Sequence, residues 1–125
     1  MSALLSLTAL LVLLGAPSIQ GSDNYSVAFR TDGPEGIYGI ACHEMFEAVE
    51  GHSQALCGDL PSGTVLLYVD EIPDRRTLLS VIRHEAAHFE LGVNPHGRTP
   101  WERFNEAVAY RLGDIYAMRA IGDER

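Results

Sequence analysis

The sequence predicts an α+β domain in which a small β-sheet packs on helices, and three local patterns carry that prediction. Residues 25–29 alternate apolar and small or polar side chains, which favours a strand. Residues 64–69 form a short apolar run rich in strand formers, which is typical of a buried strand. Two stretches nearer the C-terminus, residues 74–91 and 99–121, carry the start and stop signals of helices.

The two C-terminal helices have well-marked ends. Asp74 can cap the first helix, and Gly92 follows its last residue. The second opens with the TPWE stretch of residues 99–102, a capping box with proline at the first helical position, and stops at Gly122. Helices joined by so short a loop usually lie side by side and antiparallel.

Two further patterns predict helical structure and helix packing. Residues 35–50 have apolar side chains near helical spacing, and Gly51 would end such a helix. In the last helix, we expect one apolar stripe to face the core, and Ala109 on another face to permit close helix approach. The stripe consists of Phe104, Val108, Leu112 and Ile115.

The N-terminus carries an apolar run, residues 3–16, that is short for a membrane span but suits the core of a signal peptide. We expect a signal peptide over residues 1–22, leaving residues 23–125 as the domain; an uncleaved N-terminal anchor is the alternative. In an exported chain the two cysteines, Cys42 and Cys57, are expected to form a disulfide. Closing that loop contributes about 3 kcal/mol in the chain-entropy model.

The charge pattern limits the class of partner. The net charge is −8, and all nine basic residues are arginines scattered along the chain. Nucleic acid is therefore not an expected partner, since its binding needs clustered basic residues. After removal of a signal peptide, no membrane association is expected either. A secreted or periplasmic protein with an acidic, soluble surface fits the composition.

The stretch RHEAAHF, residues 83–89, contains the candidate metal ligands and the candidate general base. His84 and His88 lie four apart, so on a helix their imidazoles share one face. Together they can supply two ligands to zinc, and Glu85 between them can act as the general base that takes a proton from water. A catalytic zinc needs a third protein ligand.

Three residues are candidates for that third ligand. His96 lies in the loop after the helix, at a spacing that fails the metzincin pattern. Glu90 shares the helix but points away from the histidine face. Glu106, on the following helix, is the favoured third ligand. Without the HEAAH stretch upstream, it would be interpreted as a solvated carboxylate on a helix surface.

The stretch HEAAH, followed by WERFNEAVAY over residues 101–110, resembles the gluzincin metallopeptidases, especially the aminopeptidase-N-like branch and the single-domain minigluzincins. The resemblance covers about residues 80–115. It implies a minimal zincin-like domain, with His84, His88 and Glu106 as ligands to Zn²⁺ and Glu85 as base. In the implied architecture, a small sheet packs on the active-site helix, and a C-terminal helix carries the glutamate ligand.

Two departures from the family pattern matter. Tyr110 stands where related patterns often place an aspartate that orients a histidine. Residues 62–72 lack the G-x-M-E-N stretch by which the aminopeptidase branch recognises a free amine, so aminopeptidase specificity is not supported. Tyr110 and His96 are candidates for stabilising the oxyanion, against packing and loop roles respectively.

The sequence thus predicts an exported zinc metallopeptidase that acts on a peptide or protein substrate. The alternative is a non-catalytic binding module that holds zinc for stability. A third possibility, an exported helical protein without metal, requires both motifs to be accidental.

Overall fold

The computed structural model describes residues 4–44, 46, 56–92 and 99–122. The predicted α+β class is confirmed, because these residues form a mixed four-stranded sheet with helices. The elements are β1 (Leu4–Ser6), α1 (Leu7–Leu13), a 3₁₀ turn (Ser22–Asn24), β2 (Ser26–Arg30), β3 (Gly39–Cys42), β4 (Thr64–Tyr68), α2 (Arg75–Leu91) and α3 (Pro100–Ile121).

The sheet has the strand order β1-β2-β4-β3. Strands β2 and β4 are parallel, with Val27 opposite Val65, whereas β1 and β3 pair antiparallel to their neighbours. All five residues of β4 are buried, as expected of a central strand covered on both faces. Strand β3 therefore forms one edge of the sheet.

Each face of the sheet has its own apolar cluster. On one face, Val65 and Leu67 of β4 pack with Ile82 and Ala86 of α2. On the other, Ile40 and Leu66 pack beside the Cys42–Cys57 disulfide, so the predicted disulfide is confirmed. Helix α3 packs mainly on α2, and its Tyr116 also donates a hydrogen bond to the carbonyl oxygen of Pro17 in the N-terminal segment.

The predicted bounds of the two C-terminal helices are confirmed because their caps are local. Asp74 Oδ1 accepts from the backbone N–H of Thr77 at 2.7 Å, and Gly92 ends α2 with a left-handed backbone at φ 64°. Thr99 and Glu102 form the predicted capping box at the start of α3.

The packing face of α3 differs from the predicted apolar stripe. Phe104 is 57 % exposed, and the side chains that are buried on this helix are small or polar. Gly113 lies so close to α2 that a Cβ there would come within 2.5 Å of the Ser80 carbonyl oxygen. The helices thus approach through small residues rather than through a leucine-type stripe. The buried residues are Asn105, Ala109, Gly113 and Ala117.

The predicted helix over residues 35–50 is wrong for residues 35–44, of which Gly39–Cys42 form strand β3 and the others are turns or irregular. Glycine at 36 and 39 weakens a helix, and as a strand the segment pairs with β4 and buries Ile40, Ala41 and Cys42. Gly39 in particular is needed there, because a Cβ would come within 2.8 Å of Val81 Cγ1 on α2. Residues 45 and 47–50 of the predicted helix, and Gly51 as its predicted stop, lie outside the described residues.

The N-terminal apolar segment packs as β1 and α1. Leu7, Leu10 and Leu11 are buried in the same cluster as Val27 and Val65. The signal peptide over residues 1–22 stays a prediction, as does the domain boundary at residue 23. No helix within the described ranges combines the length and the apolarity needed to cross a bilayer.

Candidate metal centre

Helix α2 serves the core and the site with different faces. Ile82 and Ala86 pack on the sheet. Further round the helix, His84 and His88 lie one turn apart and face α3, with their Nε2 atoms 3.1 Å from each other. Helix α2 is buried between the sheet and α3, and this packing fixes both imidazole rings. His84 is 9 % exposed and His88 is 1 % exposed. The four-residue spacing thus converges in space as the sequence predicts.

Helix α3 brings Glu106 to the same point. Its Oε1 lies 2.9 Å from His84 Nε2, and its Oε2 lies 3.2 Å from His88 Nε2. Contact of Glu106 with residues 84 and 88, and of Gly113 with Ser80, shows that the two helices run antiparallel. A carboxylate and two imidazoles from two helices therefore face one shared centre.

The spacing of these atoms fits a metal ion. Ligands held about 2.0–2.2 Å from a tetrahedral zinc lie roughly 3.3 Å apart. The separations within the set of His84, His88 and Glu106 are 2.9, 3.1 and 3.2 Å. Two nitrogens and a carboxylate oxygen are also ligand types that zinc accepts. The arrangement is thus a group of metal-ligand type held at metal-binding distance.

Two carboxylates compete for the place of third ligand. His84, Glu85 and His88 each place one potential ligand atom within 4.8 Å of the others. However, Glu85 Oε1 lies 3.9 Å from His88 Nε2, farther than either oxygen of Glu106. Glu106 therefore fits the ligand position, and Glu85 fits a position beside it.

Several polar atoms at this centre lack partners among the described residues. Glu106 Oε2 is buried and makes no hydrogen bond of acceptable geometry, although it lies close to His88. The Nδ1 atoms of both His84 and His88 are likewise buried without a partner. An orphaned carboxylate oxygen is costly in a protein interior. A cation at the shared centre would satisfy it.

The two glutamates have opposite electrostatic properties. Burial raises the pKa of Glu106, but close contacts with His84 and His88 outweigh it and lower the pKa to about 2. Burial, and then the negative charge of Glu106, raise the pKa of Glu85 well above its usual value. One carboxylate is therefore held ionised, whereas the other is prepared to bind a proton.

A cleft of about 360 Å³ opens beside the metal-ligand group, between β3 and the two helices. Its walls include Tyr110 on α3, whose ring centroid lies 4.2 Å from that of His84. They also include Ser80 and Val81, which the sequence analysis missed. Ser80 precedes His84 by four residues and Val81 by three, so both lie on the same face of α2 as His84. This spacing could have identified them as cleft residues from the sequence.

Glu90, the other candidate ligand among the described residues, is separate from this centre. Glu90 forms a bidentate ion pair with Arg83, at 3.0 and 3.3 Å. This pairing directs the Glu90 carboxylate away from the two histidines. His96 lies outside the described residues. Among the predicted site residues that are described, the structure brings together His84, Glu85, His88, Glu106 and Tyr110.

Comparison of the chain with protein-family models, with curated proteins and with solved structures finds no match.

Proposed function

We propose that this protein is an exported, zinc-dependent metallopeptidase of minimal zincin type. The observation that carries the proposal is the convergence of His84, His88 and Glu106 on one centre, with the buried Glu85 beside them. The resemblance of the HEAAH and NEAVA stretches to gluzincins supports the same assignment. His84, His88 and Glu106 would hold the ion.

Zinc, when bound there, would supply polarisation of the scissile carbonyl and a lowered pKa for water. Glu85 supplies the proton transfers. It takes a proton from the attacking water as the water oxygen bonds to the carbonyl carbon, and gives it to the leaving nitrogen as the C–N bond breaks. A purely structural zinc site has no use for a buried carboxylate with a raised pKa next to its ligands.

Strand β3 offers a way to hold the substrate backbone. The carbonyls of Tyr38 and Cys42 accept hydrogen bonds from the β4 side, from Tyr68 and Gly63. Because backbone groups alternate in direction along a strand, those of Gly39 and Ala41 face away from β4, towards an edge with which no other strand of the described residues pairs. An extended peptide can pair with this edge beside the cleft, which favours a peptide substrate.

Export is supported by the buried disulfide between Cys42 and Cys57. Disulfides persist in oxidising compartments, outside the cytosol. The disulfide anchors the end of β3, because Cys42 is the last residue of that strand and Cys57 packs in the same apolar cluster as Leu66. A secreted or periplasmic location is the consistent assignment.

The test is peptide hydrolysis by the zinc-loaded full chain, compared with Glu85→Gln. The glutamine keeps the size of the side chain and removes its basicity, so kcat/KM should fall by about 10²–10⁴ while zinc content is retained. Glu90→Gln is the matched control, since that carboxylate lies on the same helix but pairs with Arg83. A zinc-stabilised binding module would hydrolyse no peptide. Equal hydrolysis by Glu85→Gln and wild type would exclude Glu85 as the base.

A further inference from the structure

A second cavity, of about 250 Å³, lies beside the disulfide at the end of β3. The described residues that line it fall within residues 41–62, outside the stretch of residues 80–115 that resembles gluzincins. Cys42, Cys57 and Phe46 line the cavity and are at most 8 % exposed, so much of its surface is apolar and sheltered from water. Glu44 also lines it and is exposed, which places a carboxylate at its opening.

This second cavity adjoins the cleft at the metal centre, because Ala41 lines both of them. The cleft lies on the α2 side of β3, where Gly39 approaches Val81 of α2. Cys42, in contrast, belongs to the apolar cluster on the opposite face of the sheet. The two cavities are therefore neighbours on opposite faces of the sheet, at one edge strand.

A peptide paired with the outer edge of β3 would reach both cavities with consecutive side chains. Such a peptide extends the sheet, so its side chains alternate between the two faces. The side chain opposite Ala41 lies on the same face as Ala41, towards the metal cleft, because residues opposite each other on paired strands share a face. The next side chain, opposite Cys42, lies on the face of the disulfide and can enter the second cavity.

The size and the lining of the second cavity indicate which side chain it suits. Small-molecule sites usually have volumes of about 300–1,000 Å³, so a smaller cavity suits one side chain rather than a whole ligand. The rings of His43 and Phe46 lie 5.1 Å apart in its wall, and aromatic rings pack favourably on one another. Its described lining includes the Glu44 carboxylate and no lysine or arginine, which disfavours an acidic side chain.

We propose that the second cavity is a specificity subsite, which binds an aromatic side chain of the peptide next in sequence to the residue held in the metal cleft. This inference rests on the proposed peptidase function. The competing interpretation is that the cavity is an unfilled space in the packing and never contacts substrate. Only a subsite would change the substrate preference when the cavity is filled.

The experiment measures kcat/KM of the zinc-loaded full chain for peptides that carry phenylalanine, alanine or glutamate at each position near the scissile bond. At one position, wild type should prefer phenylalanine over alanine by about 10–100-fold, as expected for burial of an aromatic ring. Leu60 lines the cavity, so Leu60→Trp should fill it and lower that preference by about 10-fold or more. Val69→Trp is the matched control and should keep the wild-type preference. Val69 is 42 % exposed and follows the last residue of β4, whereas the cavity lies near the first.

Two further measurements protect the test against a misfolded variant and against absence of turnover. Glu44 is exposed, so Glu44→Arg should fold even if Leu60→Trp does not. Glu44→Arg should raise kcat/KM for the glutamate peptide, relative to the alanine peptide, by about 5-fold at the same position. Calorimetric binding of the phenylalanine and alanine peptides to Glu85→Gln should show the phenylalanine preference without hydrolysis.

The outcomes separate this inference from the function on which it rests. A chain that neither binds nor cleaves any of the peptides overturns both proposals. A chain that binds them with the phenylalanine preference but cleaves none overturns the peptidase and keeps the subsite. A wild type that cleaves peptides without a phenylalanine preference at any position overturns the subsite alone. So does a preference that persists unchanged in Leu60→Trp, or in Glu44→Arg a glutamate peptide cleaved no better than by wild type.

Discussion

The α2–α3 pair and the N-terminal β1–α1 unit belong to one domain but are held together by different interactions. Between α2 and α3, a few small residues permit close approach, and polar side chains meet at a fixed point. In the N-terminal unit, apolar side chains fill the space beside β2 and β4. Substitution of one polar residue between α2 and α3 should therefore abolish the function of that site without unfolding the domain. Substitutions in the N-terminal β1–α1 unit should change stability alone.

The largest expected effect is that of deleting residues 1–22. Burial of Leu7, Leu10 and Leu11 contributes about 5–9 kcal/mol, which is comparable with the whole stability of a small domain. The shortened chain should lose its cooperative thermal transition, as measured by circular dichroism. A shortened chain that melts at the same temperature as the full chain would show that the segment is dispensable, as a removed signal peptide must be.

A single substitution also tests whether helix α1 packs in the core. In the full-length chain, Leu11→Ala should lower the free energy of unfolding by about 2–5 kcal/mol, because the side chain is 1 % exposed and its loss leaves a cavity. Leu13 lies on the same helix and is 75 % exposed, so Leu13→Ala should change stability by no more than about 0.5 kcal/mol. Urea titration of both variants measures the difference; equal effects would contradict the packing of α1.

A smaller effect is expected where α2 and α3 make their closest approach. A Cβ at Gly113 would meet the Ser80 carbonyl oxygen at 2.5 Å, so the backbone must shift. Overpacking costs about 1–3 kcal/mol, and the higher helix propensity of alanine offsets about 1 kcal/mol of that.

Gly113→Ala should therefore be modestly less stable and should bind zinc more weakly, because the helices that carry the ligands separate. Ala107→Ser, on the exposed face of α3, is the control and should change neither property. If Gly113→Ala keeps both wild-type stability and wild-type zinc affinity, the helices are not as close as the structure places them.

The predictability of the two regions from sequence differs for a physical reason. Helix caps and the four-residue histidine spacing are local, so both helix bounds and the meeting of His84 with His88 follow from the residues themselves. Strand β3 could not be predicted from its own residues. A short segment that contains Gly39 has only a weak local preference for any secondary structure, and its conformation depends on pairing with β4.

Two further features depend on long-range packing. The contact face of α3 uses Ala109, as its small side chain predicted, but the part that Gly113 plays depends on how closely the two helices pack and was not predicted. The N-terminal run is ambiguous because apolarity predicts burial without specifying where. A signal peptide and a core element have the same composition over these residues.

Zinc binding tests the central claim most directly. Wild type should bind about one equivalent of zinc per chain. Glu106→Ala should weaken binding by more than about 100-fold, beyond the effect of losing an outer partner of the ligands. Glu90→Ala and His96→Ala should bind zinc as wild type does. A chain without zinc affinity, or one that loses the metal on His96→Ala and keeps it on Glu106→Ala, would contradict the proposed centre.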